Sequence, residues 1–358
     1  MEQKKKFAII GCGGIANAAH YWAYDCNQDA RLVAFCDIVI EKAYAAADRF
    51  GVSRDMCFES YEELFDKVEL DAVDICTPNY LHSIIAVAAL NRGINVICEK
   101  PDAVSVGEAL KMKEAAEKNE KTLMVMRNNR YRPESAFLKK YIEDGKMGEI
   151  YTARCAWVRR RGIPGKGGWF TTKAQSGGGP LIDLGVHMID LAIWLMGNPR
   201  PVAVSGATYC KFAENDAQAD SVHAQFGEKC DSGTFDVEDL AMGFIRFENG
   251  AVMQIEFSWA SNIEKENAFV ELRGTKSGAV INTMEGIFKI FGEENGVTTD
   301  IVPHVTEMAS GHVLNIKHFA AVLQGKEKPG FVPQQGIDVI AILEAMYRSA
   351  ESGREILL

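Results

Sequence analysis

The sequence predicts an α/β protein of two domains: an N-terminal doubly wound parallel sheet (residues 1–127), then a second α/β domain on a mostly antiparallel sheet (128–358). Three observations carry this. At 358 residues the chain exceeds the size at which a single core usually stops growing. From Lys6 to Met126, short apolar runs alternate with longer amphipathic ones, as in a parallel sheet with right-handed helical crossovers. After the segment "RYRPES", strand-like runs follow one another with turn dipeptides between them, as antiparallel hairpins require.

In the first half, strands are expected at "KFAII", "RLVAFC", "AVDIC", "NVICE" and "TLMVM", with helices at 15–27, 41–50, 83–91 and 106–118. The opening "MEQKKKFAIIGCGG" imitates a lipoprotein leader, but its apolar run is too short for one and reads as the first strand. The second half offers a helix at 133–142, a strand "EIYTARCAWV", a Gly-rich loop and an oily segment. Further strands follow at "VAVSGATYC", "DLAMGFIRF", "AVMQIEFSW", "NAFVELRG", "GAVIN" and "GIFKIFG". Asn249-Gly250, between two of these, is the strongest hairpin signal. The acidic stretch 213–239 is expected to be a mobile loop. Two late helices, 312–323 and 334–351, close the chain and are placed to pack back on the first domain.

Composition narrows the function. A net charge of -10 argues against nucleic acid and against an anionic membrane, which favours a small-molecule partner. The longest oily run, "SGGGPLIDLGVHMIDLAIW", is interrupted by charge and shorter than the ~20 residues that a bilayer needs. The nine cysteines (Cys12, Cys26, Cys36, Cys57, Cys76, Cys98, Cys155, Cys210, Cys230) show no C-x-x-C pair and read as buried thiols of a cytoplasmic protein.

"GCGGIA" (Gly11, Cys12, Gly13, Gly14, Ile15, Ala16) follows the first strand and opens the first helix, the placement of a Rossmann dinucleotide turn. Gly11 permits the turn, Gly13 lets backbone approach a pyrophosphate, and the helix N-terminus presents free N–H groups to it. Asp37, at the end of the second strand, is expected to accept hydrogen bonds from the adenosine ribose; the rival reading is a cap for the helix near Glu41. Its carboxylate would repel a 2′-phosphate and Ile38 follows it, so NAD is preferred over NADP. Loops at the carboxyl ends of parallel strands line the ligand crevice. Thr77, Pro78, Asn79 and His82 of "CTPNYLH" are therefore expected beside the cofactor, although His82 reads equally well as a helix N-terminal residue without chemistry. Glu99 and Lys100 of "CEKP" are expected to project at the nicotinamide end.

In the oily segment, Asp183, His187 and Asp190 fall on one helical stripe. The set GCGGIA, Asp37, CTPNYLH, CEKP and GGGPLIDLGVHMIDL, in this order, resembles the glucose-fructose oxidoreductase, inositol dehydrogenase and rhizopine-catabolism (Gfo/Idh/MocA) family, and the likeness extends to the tail "SAESGREILL". The resemblance implies a large open sheet in the second domain that makes oligomer contacts, a homodimer or homotetramer, and an active site between the domains. It also implies that Lys100, Asp183 and His187 are the catalytic set.

Chemistry agrees with that set. Oxidation of a hydroxyl needs hydride loss and a base, and histidine, with an ordinary pKa of ~6.5, suits the proton exchange. His187 is assigned as base, Lys100 as donor to the reacting oxygen, Asp183 as orienting group and Asp190 as structural. Rival readings are a polar seam between domains and a divalent metal on Asp183, His187 and Asp190, for which further ligands are lacking. Gly177, Gly178 and Gly179 are expected to let backbone approach cofactor and substrate, Pro180 to open the helix, and Gly185 to pack closely against something large. In the loop at 157–173, Trp169 with Arg161 or Lys173 is expected to shape the substrate pocket, with Tyr131 and Arg132 also near it.

The expected function is NAD(P)-dependent hydride transfer between the cofactor and a hydroxyl or ketone of a sugar, glycoside or cyclitol. Alternatives are a redox-neutral NAD-dependent glycoside-processing enzyme and a non-catalytic sugar or nucleotide sensor.

Overall fold

A computed structural model describes residues 4–213, 227, 230, 232–305 and 310–358. Its internal contacts divide the chain into two units: Met1–Asn128 with Ala309–Ile337, and Asn129–Met308 with Asp338–Leu358.

The first unit is a six-stranded parallel sheet in the order β3-β2-β1-β4-β5-β6. The strands are β1 (Lys5–Ile10), β2 (Ala30–Cys36), β3 (Cys57–Phe58), β4 (Ala72–Ile75), β5 (Asn95–Cys98) and β6 (Leu123–Val125). This is the order whose strand-end crevice binds dinucleotides. Central strands buried on both faces read as unbroken apolar runs, and Phe7, Ala8, Ile9 and Ile10 of β1 are all in the core.

Helices cover both faces. One carries α3 (Tyr61–Lys67), α4 (His82–Asn91) and α5 (Val106–Lys118); the other carries α1 (Tyr21–Asp25) and α2 (Ile40–Phe50). A late helix, α9 (Gly311–Leu323), adds Ile316, Phe319 and Ala320 to that second core. Neither β3 nor α3 is expected from the sequence. A two-residue strand shows no periodicity, but α3 has a local start signal, since Ser60 Oγ accepts the Glu63 N–H at 3.3 Å. Ahead of α1 the chain makes a π turn, Ala16–His20.

The second unit is a nine-stranded sheet in the order β14-β13-β12-β11-β7-β10-β9-β8-β15. Its strands are β7 (Ile150–Val158), β8 (Pro201–Tyr209), β9 (Leu240–Phe247), β10 (Val252–Ser258), β11 (Asn267–Gly274), β12 (Gly278–Asn282), β13 (Ile287–Glu294), β14 (Val297–Ile301) and β15 (Ile356–Leu357). Among the described strands of this sheet, β7 and β10 pair in parallel and the other ladders are antiparallel. Gly250, at φ +83°, turns β9 into β10 as its dipeptide implies. Asn295-Gly296, with φ +53° and +79°, does the same for β13 and β14, two positive angles that define a type I′ turn. β14 and β15 were not expected from sequence.

The remaining helices are α6 (Pro133–Glu143), α7 (Lys173–Ser176), α8 (Val186–Leu195) and α10 (Pro333–Ser352). The stretch Lys173–Leu195 has the length and apolarity of a membrane span, but its most apolar window is 83% buried inside the protein, as a core helix is. Most of the expected mobile loop at 213–239 lies outside the described residues. Among the described cysteines, Cys12, Cys36, Cys76, Cys98 and Cys155 are buried, whereas Cys26, Cys210 and Cys230 are exposed, contrary to the reading of all nine as buried thiols.

Candidate active site

In the first unit the glycine turn is tied to the neighbouring strands. Gly11 has φ +94°, and a Cβ there would stand 2.7 Å from the Cys76 carbonyl, so a side chain is excluded on two counts. Its N–H donates to the Cys36 carbonyl at 2.8 Å. At Gly13 a Cβ would meet no protein atom within 4 Å, which leaves that side of the turn open to a ligand. Ala16 is fully buried, where only a small side chain fits between helix and strand. The Cys12 side chain is buried too, and burial pushes its thiol up to about 12, so only its backbone serves the turn.

Asp37 accepts the Cys12 N–H at 2.8 Å through Oδ2 and the Val39 N–H at 2.9 Å through Oδ1. It is therefore locked to the glycine turn. It is not the cap of α2, whose N-cap residue is Val39. Ile38 beside it is 85% exposed.

After β4, Thr77 Oγ1 is buried with no protein hydrogen-bond partner. A buried polar atom of this kind calls for a ligand or water. This orphan, the open side of Gly13 and the helix start at Gly14 together fit a dinucleotide. Pro78 opens the short helix Asn79–Leu81, in which Asn79 is buried. His82 departs from the expectation of a cofactor contact. It is fully buried, with Nδ1 2.7 Å from the Pro101 carbonyl and Nε2 2.9 Å from the Thr77 carbonyl, and burial holds its pKa below the ordinary value. It ties the loop after β4 to the loop after β5.

Glu99 departs as well. Both expected "CEKP" side chains follow β5, but the Glu99 carboxylate turns inward, with Oε1 2.8 Å from His20 Nε2 and Oε2 accepting the Lys100 N–H at 3.0 Å. Lys100 is half-buried.

In the second unit, Asp183 and His187 arise where the chain leaves a π turn, Leu181–Gly185, for α8. The wider turn breaks the ideal stripe, since residues four apart no longer superimpose, and such turns recur at functional sites. The three ionisable groups separate accordingly. Asp183 Oδ2 accepts the Trp259 indole N–H at 3.0 Å. The His187 ring lies 6.0 Å from the Trp157 ring, whose own indole N–H is buried without a protein partner. Asp190 is buried against Arg130, which donates from Nε at 2.7 Å and from Nη2 at 2.6 Å.

The glycine triplet has a different reason from the one expected. Gly177, at φ +86°, caps α7. A Cβ on Gly178 would collide with the Tyr347 hydroxyl, and one on Gly179 with the Glu238 carbonyl. These residues admit protein neighbours rather than a ligand. Pro180 does open the helix, and Gly185 packs against the Phe257 ring, 3.0 Å from where its Cβ would be.

Of the expected substrate residues, Trp169 is stacked on Phe170 at 3.8 Å between centroids. Arg161 is tied to the segment that follows β10: it donates to the Ser261 carbonyl at 2.9 Å and to Asn262 Oδ1 at 2.8 Å, with its guanidinium over Phe212. These contacts engage both terminal nitrogens of the guanidinium. Lys173 is exposed, 5.6 Å over the Tyr347 ring. Tyr131 is half-buried beside Arg130, and Arg132 pairs with Glu134 at 2.6 Å.

Sequence reasoning missed His20, Arg130, Glu238 and Trp259. Glu238 accepts the N–H groups of Gly179 at 3.0 Å and Leu181 at 3.1 Å and the Tyr347 hydroxyl at 3.0 Å, so it caps the helix that carries Asp183 and His187. No local pattern marks these residues, because their partners lie 54 to 109 positions away.

Comparison with known proteins agrees with both units. Residues 5–127 match the oxidoreductase family NAD-binding Rossmann fold, and residues 139–358 match the C-terminal α/β domain of that family. The D-glucoside 3-dehydrogenase of Escherichia coli (strain K12) is 32% identical over 99% of this chain and 97% of its own. The levoglucosan dehydrogenase of Pseudarthrobacter phenanthrenivorans is 33% identical over 68% of this chain and 62% of its own. A solved structure of levoglucosan dehydrogenase in complex with NADH superimposes with a TM-score of 0.86 at 25% identity, covering 99% of each chain. The chain belongs to the Gfo/Idh/MocA family of oxidoreductases.

Proposed function

We propose that the protein is an NAD-dependent dehydrogenase that oxidises a secondary ring hydroxyl of a glucoside, at the 3-position, with Lys100, Asp183 and His187 serving that one hydroxyl. The observation that carries the reading is the pair at the junction of the π turn and α8, where Asp183 is held by Trp259 and His187 stands beside Trp157. Near full-length likeness to a D-glucoside 3-dehydrogenase supports the substrate class and the position.

The cofactor, when bound, supplies the hydride acceptor. The turn at Gly11–Ala16 would hold its pyrophosphate, Asp37 its adenosine ribose, and Thr77 a neighbouring polar group. His187 takes the hydroxyl proton on an imidazole nitrogen, with Asp183 orienting the ring or a neighbouring hydroxyl. The Lys100 ammonium donates to the reacting oxygen and stabilises its developing charge. Trp157 would offer its indole N–H to a sugar hydroxyl. NAD is favoured over NADP because Asp37 is locked in place and Ile38 offers no cation to a 2′-phosphate. We also propose a cytoplasmic homodimer or homotetramer; Met242 and Phe244, exposed on one face of β9, support association through the sheet.

The test is NADH formation, followed by absorbance, across glucosides, anhydrosugars, free sugars and inositols, with NADP in parallel. Turnover of glucosides with NAD and a loss of at least about 100-fold in His187→Ala are expected, the usual scale for removing a general base. Unchanged NADH formation in His187→Ala, or faster turnover with NADP, would overturn the reading.

A further inference from the structure

His20 ends the π turn that opens the first helix and is fully buried. Its Nδ1 lies 2.7 Å from Asp74 Oδ2 on β4, and its Nε2 lies 2.8 Å from Glu99 Oε1 beyond β5. A neutral imidazole has one N–H and donates to one partner only, whereas an imidazolium donates to both. Two carboxylates at hydrogen-bond distance therefore select the cation.

The surroundings agree. The Tyr24 hydroxyl donates to Asp74 Oδ2 at 3.1 Å and the Cys76 thiol to Asp74 Oδ1 at 3.7 Å. His312 of α9 packs edge-on to His20 at 5.7 Å, with Nε2 3.7 Å from Glu99 Oε1. Lys100 adds a positive charge near Glu99. Burial opposes the charge on His20, but Asp74 and its neighbours outweigh burial and hold the pKa well above the ordinary value. Burial also opposes ionisation of Glu99, and the His20 hydrogen bond and charge overcome it, leaving Glu99 far below the usual carboxylate range. His312 is held down to about 4 by burial and is neutral.

We propose that His20 is a positioning residue for Lys100: its imidazolium bridges the ends of β4 and β5, keeps Glu99 ionised and turned inward, and Glu99 in turn anchors the Lys100 backbone N–H. The assignment rests on Lys100 serving the substrate hydroxyl, as in the proposed function. Without His20, two carboxylates share a buried space and one takes up a proton. Asp74 keeps its Tyr24 and Cys76 donors, so Glu99 takes that proton and the anchor beside Lys100 weakens as the pH falls. A metal reading is disfavoured: His20, Glu99 and His312 offer ligand atoms within 4.8 Å of one another, as do His20, Asp74 and Cys76, but His20 is already at direct hydrogen-bond distance from both Asp74 and Glu99.

The first test needs no turnover. In nitrogen-15 NMR spectra of the full chain labelled at its seven histidines, one ring should keep both nitrogens protonated at about pH 9, far above the ordinary histidine pKa of ~6.5. That signal should vanish in His20→Gln. A wild-type spectrum at that pH in which every histidine is neutral overturns the proposal and leaves the proposed function untouched.

The second test is the pH profile of kcat/KM for NAD-dependent oxidation. Its acid limb should rise by about one pH unit or more in His20→Gln, as expected when a carboxylate loses a close cation. The shift should be absent from the His20→Gln, Glu99→Gln double variant. A uniform fall in rate with an unmoved profile would make His20 merely structural. A stoichiometric metal in the wild type that is lost in His20→Gln would make it a ligand. Either result overturns the proposal.

Discussion

Trp259 donates its indole N–H to Asp183 Oδ2 at 3.0 Å across 76 positions of sequence. The indole is fully buried, so this bond brings a rigid, neutral donor to one carboxylate oxygen. Trp259→Phe keeps the ring and removes the donor. We expect kcat for sugar oxidation to fall by about 10-fold, roughly 1.4 kcal/mol of transition-state stabilisation, with little change in the KM for NAD. Steady-state kinetics read both values.

Glu238 holds the N-terminus of the same helix through the Gly179 and Leu181 N–H groups. Glu238→Ala leaves two buried donors unsatisfied and should cost roughly 2–4 kcal/mol of stability along with most of the activity. Glu238→Gln retains a carbonyl acceptor and should lose about half as much. Urea denaturation separates the two variants.

Arg130 and Asp190 form a buried bidentate pair. Removing one partner strands a charge, so Arg130→Met should destabilise the protein by about 3–5 kcal/mol. Arg130→Lys should recover only part of this, because an ammonium cannot reproduce two parallel bonds. Equal stability of Arg130→Met and wild type in urea would contradict the pairing.

His312 gives stability an acid dependence. Burial lowers its folded pKa to about 4, below the ordinary 6.5. Above the unfolded value both states are neutral. As the pH falls from there towards the folded value, only the unfolded chain gains a proton, and stability is lost. The loss should be about 2 kcal/mol between roughly pH 7 and 5. Urea denaturation of His312→Gln should show a correspondingly flatter dependence over that range.

Local patterns along the chain specify most of the elements and the local chemistry. Alternating apolar runs set β1, β2, β4, β5 and β6, "GCGGIA" set the turn with Gly11 at positive φ, and Asn249-Gly250 set a hairpin. Such features are legible because the residues that specify them are neighbours in the chain, as backbone conformation and periodicity require. Short or polar pieces such as β3, β14 and β15 carry too little of that signal.

Only the tertiary structure decided which polar group meets which. Asp183, His187 and Asp190 look alike on a helical stripe, yet Trp259 takes the first, Trp157 flanks the second and Arg130 neutralises the third. Glu99 and Lys100 are adjacent, yet Glu99 is drawn inward by His20, a residue 79 positions earlier. The glycine triplet likewise has its reason in Glu238 and Tyr347. A buried charge or hydrogen bond is stabilised by whichever partner folding brings within about 3 Å, and chain spacing does not encode that partner.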